Sequence, residues 1–230
     1  MHISWLGLSA FKLETKDAVL VLDPYGPSVA PRPLRAKADI VTTSNPHSPA
    51  HGYLDGIIGE PFVIDHPGEF EVKGVFIHGI PVGGSASTHG DRVGGTQGKR
   101  PATDGETASE PTLFTFDHEG LRLVHVGDLR AVPASDILES LNGVDILFLP
   151  VGGGDTLDAE AAMRVVNAME PRVVVPMHFR QDGWKVTEKL QPVSAFLREI
   201  GSSKIDPVER FSVKKRDLSG EETTVVLFTA

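Results

Sequence analysis

Apolar, β-like runs that stop on a histidine or an aspartate recur along this chain and constrain its fold more than any other feature. LVLDP stops at Asp23, IVTTSNPHSPAH carries His47 and His51, VGGSASTHGD carries His89, LRLVHVGD ends at Asp128 and VVVPMH ends at His178. A strand end fixes the backbone while the loop that follows leaves the side chain free to face solvent or a metal, so an α/β scaffold presents its ligands there. Histidine and carboxylate are the residue types that hold hydrolytic metals. The pattern therefore points to a metal-dependent hydrolase scaffold.

Around those ends the chain alternates in strand fashion. HISWLG, FKLET and AVLVLDP read as an opening β-meander, and ADIVTT, PFVID, FEVKGVFIHGI, TLFTFD, LRLVHV, DILFLPV and RVVVPMHF as further strands. Helices are expected over SPAHGYLDGII, PASDILESLN, TLDAEAAMRVVNAM and QPVSAFLREIG, the last stopped by Gly201. The closing VERFSVKKRDLSGEETTVVLFTA reads as a two-stranded return. Mostly β first and β/α alternation later implies two mixed sheets packed together and flanked by helices, in one domain spanning 1–230. Residues 84–110 hold almost no apolar side chain and form a flexible loop, either a solvated insertion or a lid with His89 and Asp91 at its root.

Composition narrows the function classes. With 230 residues and 40% hydrophobic side chains the chain can bury a substantial core, and a formal charge of −9 disfavours phosphate-backbone or anionic-membrane attraction. No cysteine is present, so disulfides and thiolate zinc sites are excluded and any metal is held by imidazole and carboxylate. No window approaches the roughly 18 apolar residues of a membrane span, and MHISWLGLSAF lacks the features of a secretory signal. A cytoplasmic protein acting on a small molecule, without nucleic acid or membrane and able to form a homo-oligomer, is the expectation. GGSAS and PVGGGD lack the lysine of a phosphate loop, and Ser85 and Ser87 make no nucleophile elbow.

WLGLSAFKLE, LVLDPYG, ADIVTTS, FVIDHPGEFEVKGVFIHGI, GLRLVHVGDL, VDILFLPVGGGDTLDAEAA and EPRVVVPMHF follow one another in an order that resembles the small metallo-β-lactamase-fold proteins described as zinc-dependent hydrolases, the branch with the ascorbate-lactonase-like enzymes. The resemblance covers nearly the whole chain. It implies an αββα four-layer sandwich with a metal site at one edge between the sheets, and a cofactor of one or two zinc ions, or manganese or iron in their place. In that family an H-x-H-x-D-H motif opens the site. Aligned without a gap, His47 matches its second histidine, while Asn45, Pro49 and Ala50 replace the first histidine, the aspartate and the last histidine; with one residue inserted, His51 recovers the last. His89 resembles the third histidine of one metal position, Asp128 the bridging aspartate that also serves catalysis, and His178 the last histidine of the other position. Leu8 stands where relatives carry a polar histidine, and HVGDLRA lacks a later one.

His47, His51, His89, Asp128 and His178 are thus the candidate ligands, with His125 on the strand before Asp128 as supporting partner. Each has a plainer reading: loop histidines for His47, His51 and His89, a helix cap for Asp128, a half-buried strand residue for His178. Asp91, Asp155 or His51 could supply replacement ligands for a single-metal site. Two function classes follow: a hydrolase that activates water at a mono- or dinuclear metal to cleave a small ester, lactone, amide or phosphoester bond, or a metal-depleted relative that kept the sandwich as a binding module.

Overall fold

A computed structural model describes residues 1–82, 110–184, 190–202, 204–220 and 222–229. The first half is β-structure: β1 (His2–Gly7), β2 (Ala10–Glu14), β3 (Val19–Leu22), the short β4 (Ala36–Lys37), β5 (Ile40–Thr42), β6 (Ile57–Ile58), β7 (Phe62–Ile64), β8 (Gly68–Val72) and β9 (Val75–Pro81). After β10 (Thr112–His118) and β11 (Leu121–His125), helices alternate with strands: α1 (Ser135–Ser140), β12 (Ile146–Pro150), α2 (Ala159–Met169), β13 (Val173–Met177) and α3 (Ser194–Glu199). The chain closes with β14 (Phe211–Ser212), a 3₁₀ turn at Lys215–Asp217 and β15 (Thr224–Val225).

Two mixed sheets result, one of six strands in the order β14-β1-β2-β3-β5-β7 and one of seven in the order β15-β13-β12-β11-β10-β9-β8. The two-residue period of a strand explains how they stack. In β3, Leu20 and Leu22 face the core shared with the second sheet while Val21 faces the other way; in β2, Phe11 and Leu13 take the shared face and Ala10 the outer one. Phe11 meets Phe148 of β12 across the interface at 4.6 Å between ring centroids. The helices lie on the far face of the second sheet, where Ala162, Val165 and Val166 of α2 enter the same core. On the far face of the first sheet, Leu8, Val21 and Val41 are covered by Tyr25, Ala30, Leu34, Ala36 and Ala38, a segment that is loop except for β4. The sandwich is the architecture expected, with loop in place of helix on that side among the described residues.

Three local expectations change. SPAHGYLDGII is not a helix: residues 46–52 form tight turns before β6, with Pro46, Pro49 and Gly52 breaking the run. A Cβ on Gly52 would stand 2.6 Å from the Pro46 carbonyl oxygen, so the turn closes only around glycine. The two strands of the closing segment do not pair with each other; the segment meets itself in an isolated parallel bridge of Val208 with Phe228. β14 adds to β1 in the first sheet and β15 to β13 in the second, so the chain end clamps both sheets. FEVKGVFIHGI is a hairpin, β8 and β9 joined by Lys73 and Gly74, both at positive φ as a tight two-residue hairpin turn requires. Of the 84–110 segment only Glu110 is described; His89, Asp91 and the expected lid lie outside the described residues.

Candidate metal centre

β3 and β5 run parallel, as do β11, β12 and β13, so their carboxyl ends gather at one edge of the sandwich. Open α/β sheets bind ligands at such edges. The residues immediately past these ends converge here: Asp23 after β3, Ser44 and Asn45 after β5, Asp128 after β11 and His178 after β13. Leu8 and Ser9 arrive from the β1–β2 turn. Leu8, Asp23 and His178 hold φ of 48°, 45° and 50°, a left-handed conformation that side-chain-bearing residues adopt at a cost of order 1–3 kcal/mol when their surroundings over-determine it.

Asp23 is the hub. It is fully buried, and its Oδ1 accepts from the Ser44 backbone N–H at 2.7 Å, while Oδ2 accepts from the Ser44 hydroxyl at 2.6 Å and from His51 Nδ1 at 2.7 Å. Burial alone would push the Asp23 carboxyl up; the neighbouring His125 and His51 rings and the hydrogen bonds from His51 and Ser44 outweigh it and hold the group below its usual range. An ionised carboxylate only accepts, which places a His51 proton on Nδ1 and turns Nε2 away from Asp23. That nitrogen stands 3.7 Å from Asp128 Oδ1. His178 lies parallel to His51, ring centroids 5.5 Å apart with 13° between planes, and its Nδ1 shares a 3.2 Å hydrogen bond with the Ser9 hydroxyl. Burial, followed by the adjacent His51, lowers the His178 pKa to about 3, so this ring is neutral.

Asp128 is only 4% exposed. Its backbone N–H donates to the Ser44 hydroxyl at 3.0 Å, and its Oδ2 accepts from Asn45 Nδ2 at 2.9 Å and Arg130 Nη2 at 2.8 Å. The turn that aims it needs Gly127, at φ 58°, because any Cβ there would collide with the Ser44 side chain. His125 donates from Nε2 to the Ser9 carbonyl at 2.9 Å and keeps a buried Nδ1 without a partner among the described residues. It braces the loop that carries Ser9, and burial lowers its pKa.

Of the residues singled out in the sequence, the structure brings together His51, Asp128, His178 and His125, with Asp23 beneath them. His47 is exposed on the 46–52 turn, where its backbone N–H meets Asn45 Oδ1 at 3.3 Å, and Asp155 is exposed past β12. Ser9, Ser44 and Arg130 were not visible as site residues: a serine in a turn is commonplace, and Arg130 lies in an ordinary polar loop. Only their position immediately beyond strand ends could have flagged them.

The donor set suits one divalent ion. A histidine ligand commonly gives its second ring N–H to a carboxylate, which is the His51–Asp23 arrangement, and two histidines with one carboxylate suit zinc, iron or manganese. Among the described residues no group of three or more histidines and carboxylates is placed to hold a metal ion as it stands. Two imidazoles on one tetrahedral zinc would hold their ring centroids about 5 Å apart and neighbouring donor atoms about 3.3 Å apart. The 5.5 Å ring separation is close to that, and the 3.7 Å between His51 Nε2 and Asp128 Oδ1 is somewhat longer. His51, Asp128 and His178 therefore suit an ion by donor type, with placement that has to tighten around it.

Comparison with known proteins agrees with this architecture. Residues 2–178 match the beta-lactamase superfamily domain. A UPF0173 metal-dependent hydrolase of Bacillus mycoides is 27% identical over 88% of this chain and 98% of its own length. The crystal structure of a metallo-β-lactamase superfamily protein of Thermotoga maritima superposes with a TM-score of 0.74 at 27% identity, covering 99% of this chain and 97% of that one. A metallo hydrolase of the archaeon Ignicoccus hospitalis shares the fold, with a TM-score of 0.63 at 18% identity over 93% of this chain and 99% of its own.

Proposed function

Because the chain belongs to the beta-lactamase superfamily, in its metallo-β-lactamase form, we propose that it is a metal-dependent hydrolase of small molecules, with His51, Asp128 and His178 as its metal ligands. The observation that carries this reading is the anchoring behind the donors: Asp23 fixes the His51 ring, whose Nε2 stands 3.7 Å from Asp128 Oδ1, and Ser9 holds the His178 ring stacked beside it. A divalent ion bound there, zinc, manganese or iron, would lower the pKa of a water ligand toward neutrality and polarise a carbonyl or phosphoryl group. Asp23 keeps a His51 proton on the far nitrogen. Ser44 joins Asp23 to the Asp128 backbone, which fixes the carboxylate against the two rings. The proposed substrate carries an ester, lactone, amide or phosphoester bond, and the protein works in the cytoplasm without nucleic acid or membrane as partner. Among the described residues no helix is long and apolar enough to cross a membrane.

A second reading, a metal-free binding module, draws on Arg130, whose guanidinium already balances the Asp128 charge. Elemental mass spectrometry of tag-free protein, after incubation with zinc, manganese and iron and removal of loose ions, separates the two. The hydrolase reading expects tightly held metal that disappears in Asp128→Ala and in His178→Ala. Metal absent from the wild type, or unchanged in both variants, overturns it in favour of the second.

A further inference from the structure

The two oxygens of Asp128 have different surroundings. Oδ1 lies 3.7 Å from His51 Nε2, and the His51 ring stacks on His178. Oδ2 is occupied by two N–H donors, Asn45 Nδ2 at 2.9 Å and Arg130 Nη2 at 2.8 Å. The Asn45 amide cannot turn to offer its oxygen to a cation without breaking two contacts at once, because its Oδ1 accepts from the His47 backbone N–H at 3.3 Å while its nitrogen serves Asp128. An amide nitrogen has no lone pair to donate. The guanidinium carries a permanent charge within hydrogen-bonding distance of the same oxygen, and like charges held that close repel strongly.

Resting on the reading of His51, Asp128 and His178 as metal ligands, we infer that this centre takes one ion and excludes a second, with the Arg130 guanidinium as the fixed positive charge on the other half of Asp128. An ion approaching Oδ2 would have to displace both donors and sit against the arginine. The first ion is spared this conflict, since it approaches through Oδ1 and the two rings. His47 is exposed on its turn, and among the described residues no group of three or more histidines and carboxylates is gathered for a second ion. Arg130 is 56% exposed, so its charge stands at the solvent edge of the site and meets an incoming cation early.

The test is stoichiometry, read without reference to turnover. Protein stripped with a chelator is dialysed against graded Zn²⁺ and, separately, Co²⁺; bound metal is counted by elemental mass spectrometry, and the cobalt spectrum reports the coordination. Wild type is expected to saturate at one tight ion per chain. Arg130→Lys, which keeps the charge, stays at one. Asn45→Asp with Arg130→Gln, which replaces the two donors by an acceptor and a neutral amide, gains a second equivalent with a distinct cobalt band. Two tight ions in the wild type overturn the inference and leave the metal-ligand reading intact. A second ion in Arg130→Lys overturns the role of charge, and a double variant that is folded yet still stops at one overturns the assignment to Asn45 and Arg130. No metal in the wild type removes the underlying ligand set, and this inference falls with it.

Discussion

Asp23→Asn is the substitution that most directly probes how the site is held. The carboxylate accepts from the Ser44 N–H, the Ser44 hydroxyl and His51 Nδ1 with no exposure to solvent. An asparagine of the same shape has one accepting oxygen. If its amide nitrogen takes the Oδ1 position, it faces the Ser44 N–H and strands that donor. If it takes the Oδ2 position, Ser44 can rotate to accept, but the His51 Nδ1–H loses its acceptor and the ring its anchor. A stranded buried donor costs about 1–3 kcal/mol, and the lost charge-assisted bonds bring the total to about 2–4 kcal/mol. In a chain of this size each kcal/mol moves the melting midpoint by about 2–4 °C, so a fall on the order of 10 °C is expected. Loss of a carboxylate behind a ligating histidine also weakens metal affinity by about 10- to 100-fold. Calorimetric melts of the metal-free protein and competition titrations against a chelator read the two effects separately. A variant that melts within about 2 °C of wild type and holds metal equally well would refute the assignment of Asp23 as the hub.

Gly127→Ala forces a Cβ into the Ser44 side chain at a left-handed position and should cost about 2–4 kcal/mol, with lower metal occupancy because Asp128 shifts with its turn; an unchanged melt would contradict the packing described. Asp39 gives a pH dependence. The hydrogen bond from Lys73, with that from the Val19 N–H, holds its carboxyl below the usual range. A depressed carboxylate stabilises the fold above its unfolded value near 3.9 and loses that contribution as pH falls through the folded value, so Asp39→Asn should melt below wild type at pH 7, with the gap narrowing as pH falls below the unfolded value; a gap that stays constant down to the lowest pH at which the protein folds would refute this. Asp145 is buried and accepts from Lys215 Nζ at 2.7 Å and from the Arg122 N–H at 2.9 Å. Asp145→Asn should cost about 1–3 kcal/mol and speed proteolysis around Lys215, and equal cleavage rates would show that the 3₁₀ turn is held by other contacts.

The sequence disclosed those parts of the site that obey a local rule. Asp23, Asp128 and His178 each follow an apolar run, and the run predicts the strand whose end they occupy. His51 was harder, because choosing it over His47 required knowing that the turn from Pro46 to Gly52 folds back and buries the second histidine. Periodicity carries no trace of that turn, and the same gap produced the expectation of a helix there. The partners of the two closing strands were hidden for a related reason. β14 and β15 are two residues each, too short to specify a partner, and their places are set by β1 and β13 far away in sequence. Arg130 was invisible because nothing local distinguishes an arginine that compensates a carboxylate from one that solvates a loop.

The site is also a seam between the sheets, which ties its chemistry to the stability of the fold. Asp23, Ser44 and Ser9 come from the first sheet, and Asp128, His125 and His178 from the second. The contacts that orient the candidate ligands are therefore the contacts that cross: Ser44 to the Asp128 backbone, Ser9 to His178, and His125 to the Ser9 carbonyl, with the Ser44 carbonyl accepting from the Thr112 N–H at 2.9 Å at the start of β10. An ion on His51, Asp128 and His178 would join a ligand from the first sheet to two from the second. It would stabilise the packed sandwich by mass action, roughly 4 kcal/mol at a thousandfold excess over its dissociation constant. Conversely, sheet packing keeps the donors within reach of one another before any ion arrives. Substitutions at Ser9, Ser44 or Asp23 should consequently lower stability and metal affinity together, whereas Arg130, exposed and outside the seam, can change what the site accepts with little effect on the fold.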